Sequence, residues 1–229
     1  MRHLLSIPLL LTGLYLTAAC QTPGGCAEEC GAECCSGAAT VLFDGSSLDA
    51  FQHPNGTPAT WSIDPDGATT VTGGGNLVSR DHFGDHRIEL EFLCPELPRS
   101  LGIDRGNSGV YVQGVYEVQV LDSYEMPLAL NSCGAIYQIS MPASNACLPP
   151  EEWQSYVIDL TAAELAEDGS VATPGRMTVV LNGVLIQDDV ELPNVTPGGL
   201  GGAVVATGPL MLQDHNQRVR FRNIRVTSL

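Results

Sequence analysis

The sequence predicts an all-β protein built as an antiparallel sandwich or jelly roll, and three observations lead to this prediction. Ten or more short segments show the period-two alternation or the β-branched composition of strands. Turn residues separate these segments at short intervals, with 25 glycines among 229 residues. Helix-period patterns are rare, and we find neither an internal repeat nor a second folded domain.

The amino-terminal half supplies the first of these strands. Residues 41–45 end a strand in an Asp-Gly turn, and short strands at 60–64 and 69–72 flank Pro65-Asp66-Gly67. Residues 86–93 alternate cleanly, so Ile88, Leu90 and Phe92 are expected to point inward. Residues 109–113 and 116–121 predict a hairpin about Gly114.

The carboxy-terminal half continues this pattern. A strand is predicted at 156–160, and residues 177–181 and 184–186 form the strongest hairpin signal, because Asn182-Gly183 suits a type I′ turn. The last strands are expected at 211–213 and 219–226. One short helix is predicted in an insertion at 160–175, over residues 161–167, with Thr161 as N-cap and Glu164 as its capping-box partner.

The first 19 residues have the pattern of a secretory signal. Arg2 and His3 precede an apolar run over residues 4–16 that is too short for a comfortable membrane span. Small residues directly before Cys20 resemble a bacterial lipobox, which predicts a lipoprotein-type signal peptide over 1–19 and a lipidated Cys20. The expected location is therefore the bacterial cell envelope, lipid-anchored in the periplasm or at the surface. The alternative is ordinary cleavage at the Ala-rich site and secretion.

Cysteines divide between a tether at 20–38 and the domain at 39–229. Cys26, Cys30, Cys34 and Cys35 allow a zinc cluster, but adjacent Cys34 and Cys35 fit tetrahedral chelation poorly, and a disulfide knot or an oxidised tether is favoured.

In the domain, Cys133 and Cys147 are predicted to form a disulfide. It would close a loop of about fifteen residues and stabilise the fold by roughly 3 kcal/mol. Cys94 is left as a buried thiol or as a partner for the tether.

Charge excludes several classes of function. The net charge of −16 argues against nucleic acid and against direct binding to an anionic membrane, which leaves the lipid anchor as the only expected membrane contact. All ten basic residues are arginine, so a Schiff-base lysine is impossible.

Two segments nearly one hundred residues apart contain the candidate site. On the strand at 116–121, Glu117 and Gln119 share a face, and Asp122 would rejoin that face if a β-bulge added one residue. Such a set of carboxylates and an amide suits a polyol. The segment 213–224 adds Gln213, an imidazole at His215, and guanidiniums that include Arg220 and Arg222.

Six motifs follow one another in order over residues 41–229: Leu42-Phe43-Asp44-Gly45, Gly73-Gly74-Gly75-Asn76, Asn107-Ser108-Gly109, Tyr116-Glu117-Val118-Gln119, Gly134-Ala135-Ile136-Tyr137 and Gln213-Asp214-His215. Together they resemble the 3-keto-disaccharide hydrolase domain. The resemblance implies a concanavalin-like jelly roll that cleaves 3-keto-glycosides by deprotonation at C2, elimination of the C1 leaving group and hydration. It also implies a separate 3-dehydrogenase that supplies the keto sugar.

The same resemblance suggests roles for particular residues. Glu117 or Asp122 is the base or acid, with His215 as the partner proton carrier. Asn107 and Gln119 would hold sugar hydroxyls together with Gln213, Tyr137 is a further donor, and Arg220 or Arg222 would face the enolate.

Two other functions stay open at this point. One is a non-catalytic carbohydrate-binding module of the same fold. The other is an ordinary retaining glycosidase that uses Glu117 and Asp122 as its carboxylate pair. No cofactor and no catalytic metal are predicted. A structural Ca²⁺ is known in this fold class, but the sequence shows no legible ligand set.

Overall fold

The computed structural model describes residues 37–97 and 102–229, and within these ranges every regular element is a β-strand. Eight strands precede the middle of the chain: β1 (Thr40–Phe43), β2 (Phe51–Gln52), β3 (Ser62–Ile63), β4 (Thr69–Thr70), β5 (Leu77–Phe83), β6 (His86–Leu93), β7 (Ser108–Val112) and β8 (Tyr116–Val120). Seven follow: β9 (Gln154–Thr161), β10 (Glu164–Leu165), β11 (Val171–Thr173), β12 (Gly175–Leu181), β13 (Val184–Leu192), β14 (Gly208–Leu212) and β15 (Arg220–Ser228).

The strands form two antiparallel sheets and one separate hairpin. The larger sheet has the order β13-β12-β9-β6-β15-β4-β3, with β1 paired to β15. The smaller sheet has the order β2-β5-β14-β7-β8. Because several pairs of neighbouring strands, such as β6 with β15 and β5 with β14, are distant in the sequence, the chain crosses repeatedly between the two sheets, as in a jelly roll. The fold is an all-β, concanavalin-like sandwich, as the sequence predicts.

One hydrophobic core fills the space between the sheets. The larger sheet contributes alternate side chains such as Ile88, Leu90 and Phe92, which are at most 2% exposed. The smaller sheet contributes Val110 and Val118 in the same way. Since side chains alternate between the two faces of a strand, the intervening residues of β7 and β8 face away from this core. This outer face of the smaller sheet contains the candidate site.

The strongest strand predictions are confirmed, including β6, the β7–β8 hairpin about Gly114 and the β12–β13 hairpin about Asn182-Gly183. Strand β5 was missed. Its second half, from Arg80 to His82, is exposed and polar on both faces, so the sequence lacks the alternation that marks a half-buried strand.

The predicted helix at 161–167 is wrong. Glu164 pairs with Thr173 and Leu165 with Val171, so this stretch forms the small β10–β11 hairpin of the 160–175 insertion. Residues 166–170 form its turn, in which the amide N–H of Ala166 bonds to the carbonyl oxygen of Ser170 at 2.8 Å. The side chain of Glu164 accepts a bond from Thr173 rather than capping a helix.

The predicted signal peptide at 1–19, the lipidation of Cys20 and the four tether cysteines lie outside the described residues. Within the described ranges, no helix is long and apolar enough to cross a membrane.

The predicted Cys133–Cys147 disulfide is absent from the structure. Cys94, Cys133 and Cys147 are buried free thiols. Cys133 and Cys147 are nevertheless neighbours, and their mutual hydrogen bond lowers the pKa of Cys147, whereas burial raises that of Cys133. The sequence therefore predicted the proximity of the two cysteines correctly but not their bonding. Cys133 Sγ lies 3.3 Å from the Tyr156 hydroxyl, and Cys147 Sγ accepts a hydrogen bond from Gln154 Nε2 at 3.5 Å.

Candidate active site

The β7–β8 hairpin places the candidate side chains on the outer face of the smaller sheet. Its register pairs Tyr111 with Glu117 and Gly109 with Gln119, without a shift along its length. Residues that pair directly across antiparallel strands point to the same face. Glu117 and Gln119 therefore share one face, as predicted, and Tyr111 joins them.

A small polar cavity lies on this face, with a volume of about 180 Å³. Its lining residues are Ile103, Asn107, Tyr111, Glu117, Gln119, Tyr137, Pro197, Gly198, Gln213 and His215. The structure thus brings together Glu117, His215 and four of the six predicted substrate-binding residues. Among the described residues of the lining, Glu117 is the only carboxylate.

Glu117 is 3% exposed, and burial raises its pKa to about 7, against a smaller opposing effect of its hydrogen bond with Tyr111. The Tyr111 hydroxyl lies 2.9 Å from Glu117 Oε2 and 2.8 Å from the carbonyl oxygen of Pro197. With a single proton, this hydroxyl donates to one of the two at a time. It also accepts a bond from Gln213 Nε2 at 3.3 Å.

Backbone contacts fix the walls on both sides of Glu117. Its amide N–H donates to Thr196 Oγ1 at 2.8 Å, and its carbonyl oxygen accepts the amide N–H of Tyr137 at 2.9 Å. The first bond anchors the segment that contains Pro197 and Gly198. The second makes residues 134–137 follow the free edge of β8 and brings Tyr137 to the cavity.

Two glycines make room for the reactive side chains. A Cβ on Gly109 would stand 2.4 Å from Glu117 Oε1, and a Cβ on Gly198 would stand 2.6 Å from the Tyr111 hydroxyl. Gly198 also has a φ of +82°, which side chains rarely adopt. The carboxylate and the phenol can therefore lie close to the backbone only because these positions have no side chain.

Two polar atoms of the described lining lack a protein partner. The carboxamide oxygens of Gln119 and Gln213 are buried and accept no hydrogen bond in the described structure. Unpaired buried polar atoms are rare in folded proteins and are often found where a ligand or water binds. His215 is exposed and Tyr137 is half-buried at the same cavity, so both can reach a bound molecule and solvent.

The glycine-rich loop at 73–76 holds the strand end that carries Gln213 and His215. Asp214 accepts the amide N–H of Gly75 at 2.8 Å, and Asn76 Oδ1 accepts the amide N–H of Asp214 at the same distance. This reciprocal pair fixes residue 214 between the two site residues. The glycine-rich loop therefore has a structural role, because it holds this strand end in place at the site.

Asp122 does not join the cavity lining. Strand β8 ends at Val120 without the bulge that the sequence analysis required, so Asp122 lies beyond the strand. Its carboxylate forms an ion pair with Arg105 at 2.6 Å and is 5% exposed. Arg105 also donates to the Asp122 carbonyl oxygen at 3.1 Å, which points to a structural role for this pair.

Arg220 and Arg222 also lie outside the cavity lining. Both belong to β15 of the larger sheet, where Arg220 pairs with Asp64 at 3.0 Å and Arg222 pairs with Glu91. The Arg222 guanidinium also stacks on Trp153 at 4.0 Å. The predicted segment 213–224 crosses from one sheet to the other, and only its first residues reach the site.

Residues 38–227 match the model of a family described as the 3-keto-alpha-glucoside-1,2-lyase-like domain. The chain belongs to this family. The resemblance found in the sequence is therefore confirmed, and the chain is assigned to a carbohydrate-active family.

Solved structures of other proteins resemble this lyase-like domain. A candidate glycosyl hydrolase from Parabacteroides distasonis ATCC 8503 is 37% identical, with a TM-score of 0.77, over 83% of this chain and 84% of that chain. A second candidate glycosyl hydrolase from that strain is 20% identical, with a TM-score of 0.62, over 83% and 94% of the two chains, and shows the shared fold alone. A comparison with curated proteins gives no match.

Tyr111 is the residue of the lyase-like site that sequence reasoning missed. In the sequence it lies within the predicted strand at 109–113, between Val110 and Val112. The signal was nevertheless available, because a hairpin about Gly114 that pairs Val112 with Tyr116 must pair Tyr111 with Glu117. The described residues contain no group of three or more His, Cys, Asp or Glu side chains arranged to hold a metal ion.

Proposed function

We propose that the domain cleaves 3-keto-α-glucosides by elimination, with Glu117 as the general base. The observation that supports this most is the single buried carboxylate of the polar cavity, whose pKa is raised to about 7. At neutral pH about half of such groups are ionised and able to accept a proton, and the ionised form is a stronger base than an ordinary glutamate.

The chemistry follows from the ketone. A carbonyl at C3 makes the C2 hydrogen acidic, because the resulting negative charge moves onto the ketone oxygen. Glu117 takes the C2 proton, the C1–C2 double bond forms, and the bond from C1 to the leaving oxygen breaks as that oxygen gains a proton. The products are an unsaturated 3-keto sugar and an alcohol. Addition of water across the new double bond then completes a hydrolysis.

Other lining residues supply the remaining roles. The side-chain carboxamide N–H groups of Gln119 and Asn107 are suited to the developing enolate oxygen and to sugar hydroxyls. His215 and Tyr137 are suited to donate a proton to the leaving oxygen, and the exposure of His215 lets it exchange that proton with water. Tyr111 acts through Glu117, whose charge it stabilises by a hydrogen bond.

An ordinary retaining glycosidase would need a second carboxyl group roughly 5 Å from the first. The described lining offers none besides Glu117, and Asp122 is engaged with Arg105. This arrangement favours elimination, which needs one base and one acid, over a two-carboxylate displacement.

The deciding experiment incubates the protein with 3-keto-trehalose and, separately, with unoxidised trehalose. Release of reducing sugar and the absorbance of the unsaturated ketone are followed, with Glu117→Gln as the control variant. We expect cleavage of the keto form alone. Cleavage of both sugars would indicate an ordinary glycosidase, whereas saturable binding without any cleavage would indicate a carbohydrate-binding module.

The proposal includes a partner and a location. The substrate needs prior oxidation of its C3 hydroxyl, so we propose that a separate dehydrogenase supplies it. The amino-terminal sequence supports lipid anchoring in the cell envelope through Cys20. Labelling of the Cys20→Ala variant and the wild type with a fatty-acid analogue in a bacterial host would test this anchor.

A further inference from the structure

A buried histidine outside the cavity lining, His53, holds the glycine-rich loop at 73–76. His53 directly follows β2 and is 7% exposed. Its Nδ1 lies 2.9 Å from the backbone carbonyl oxygen of Asn76, and its Nε2 lies 2.9 Å from Thr60 Oγ1. Because a carbonyl oxygen can only accept a hydrogen bond, His53 must carry a proton on Nδ1 and donate it to Asn76.

The neighbouring carbonyl oxygen of the loop is held in the same way. Trp61 is 4% exposed and donates its Nε1–H to the carbonyl oxygen of Gly75 at 2.9 Å. Two buried ring N–H groups thus fix two consecutive peptide groups of the loop. The loop can lie this close because it has no side chain at Gly74, where a Cβ would stand 2.6 Å from Thr60 Oγ1.

The side chain of Asn76 connects this fixed loop to the active site. Its Oδ1 accepts the amide N–H of Asp214 at 2.8 Å. The Asp214 carboxylate in turn accepts the amide N–H of Asn216 at 2.8 Å. The residues on both sides of His215 are therefore held by one hydrogen-bond network, and His53 is at the buried end of that network.

We propose that His53 is a positioning residue for His215. The side chain of His215 is exposed, so packing does little to fix it, and the place of its imidazole depends on how firmly its backbone is held. A misplacement of about 1 Å at a reacting group can cost roughly a hundredfold in rate. This inference rests on the proposed function, in which His215 donates a proton to the leaving oxygen.

The kinetic test compares methyl and 4-nitrophenyl 3-keto-α-glucosides. Methanol needs a proton in order to leave, whereas 4-nitrophenolate leaves without one, so a misplaced proton donor slows only the methyl substrate. We expect His53→Phe to raise the nitrophenyl-to-methyl ratio of kcat/KM roughly tenfold or more. His53→Asn should restore the ratio, because its carboxamide N–H can replace the Nδ1–H that binds Asn76. A variant that merely folds less well would lose activity equally on both substrates.

His86 provides the matched control. It is 1% exposed, belongs to β6 of the larger sheet, and its Nδ1 bonds to the carbonyl oxygen of Gly84 at 2.7 Å. His86→Phe therefore loses the same kind of hydrogen bond outside the cavity lining and should leave the ratio unchanged. An unchanged ratio in His53→Phe, where His215→Gln raises it, overturns the inference. An unchanged ratio in His215→Gln instead overturns the proposed role of His215, and hydrogen exchange then decides the inference.

Hydrogen exchange separates this inference from the proposed function, because it needs no substrate. The amide protons of Asp214 and Asn216 are both bonded within the network. We expect them to exchange roughly fivefold faster in His53→Phe than in the wild type or in His86→Phe, as loss of one ordinary hydrogen bond predicts. Unchanged exchange overturns the inference. If His53→Phe does not fold, His53→Gln replaces it, because its longer carboxamide reaches the Nε2 position beside Thr60 but not the Nδ1 position.

Discussion

The Tyr111 hydroxyl lies 2.9 Å from Glu117 Oε2, and the two residues are directly paired across the β7–β8 hairpin. This bond stabilises the ionised carboxylate and opposes the effect of burial on its pKa. The balance between the two effects leaves the pKa of Glu117 at about 7. The hairpin register is thus linked directly to the acid–base property of the site.

Removal of this bond is expected to shift the pH dependence of the reaction. In Tyr111→Phe, burial still raises the pKa of Glu117, but the opposing hydrogen bond is lost, so the midpoint of kcat/KM against pH moves upward. Tyr116→Phe is the matched control, because the Tyr116 hydroxyl has no hydrogen-bond partner in the described structure. A midpoint that stays in place in Tyr111→Phe would contradict the coupling.

Glu117 is expected to destabilise the folded state increasingly as pH rises from 4.5 to about 7. Between its ordinary value of 4.5 and its folded value of about 7, the folded state keeps a proton that the unfolded state has lost, so stability falls as pH rises. The shift corresponds to about 3 kcal/mol. Glu117→Gln should therefore be more stable than the wild type by about this amount at pH 8, and by little at pH 4. Urea unfolding of both proteins at the two pH values measures the difference.

The same variant tests the catalytic role. A missing general base costs roughly 10²–10⁴-fold in rate, so Glu117→Gln should lose most activity while gaining stability. In the wild type, kcat/KM should rise as pH increases through about 7, because the base must be deprotonated. A profile that falls through this pH would assign Glu117 the role of acid.

The sequence predicts the part of the site that depends on strand periodicity. Glu117 and Gln119 share a face because side chains alternate, and the hairpin holds them there. Asp122 was misplaced, since its position depended on a bulge that local sequence does not determine. Arg220 and Arg222 were misplaced because the chain changes sheets between His215 and Arg220, and such a crossing depends on the packing of the whole sandwich.

The helix predicted at 161–167 shows a second limit. The capping pattern at Thr161 and Glu164 is a local preference worth about 1 kcal/mol, which pairing with residues 171–173 overrides. The disulfide shows a third limit. The spacing of Cys133 and Cys147 correctly brings them together, but spacing does not determine whether two adjacent thiols are bonded.

Gly109→Ala should reduce activity without a large loss of stability. The added Cβ would stand 2.4 Å from Glu117 Oε1, and the side chain that must move is flexible at its end. We expect a loss of kcat of at least tenfold, because a misplaced base is inefficient, with little change in Tm. Gly84→Ala is the control, since its nearest neighbour would be 3.8 Å away. A large drop in Tm with kcat intact would place the effect in folding instead.

Asp122→Asn distinguishes a structural aspartate from a catalytic one. The variant breaks an ion pair in which the Asp122 side chain is 5% exposed and the Arg105 side chain is 27% exposed. Loss of a partner in a fully buried pair costs about 3–5 kcal/mol, and the partial exposure of Arg105 reduces the expected loss to roughly 1–3 kcal/mol. The midpoint of the pH profile should not move, because Asp122 does not line the cavity. Urea unfolding and the pH profile of kcat/KM measure the two effects. A loss of activity above a hundredfold at unchanged stability would instead indicate a catalytic role for Asp122 and support the two-carboxylate mechanism.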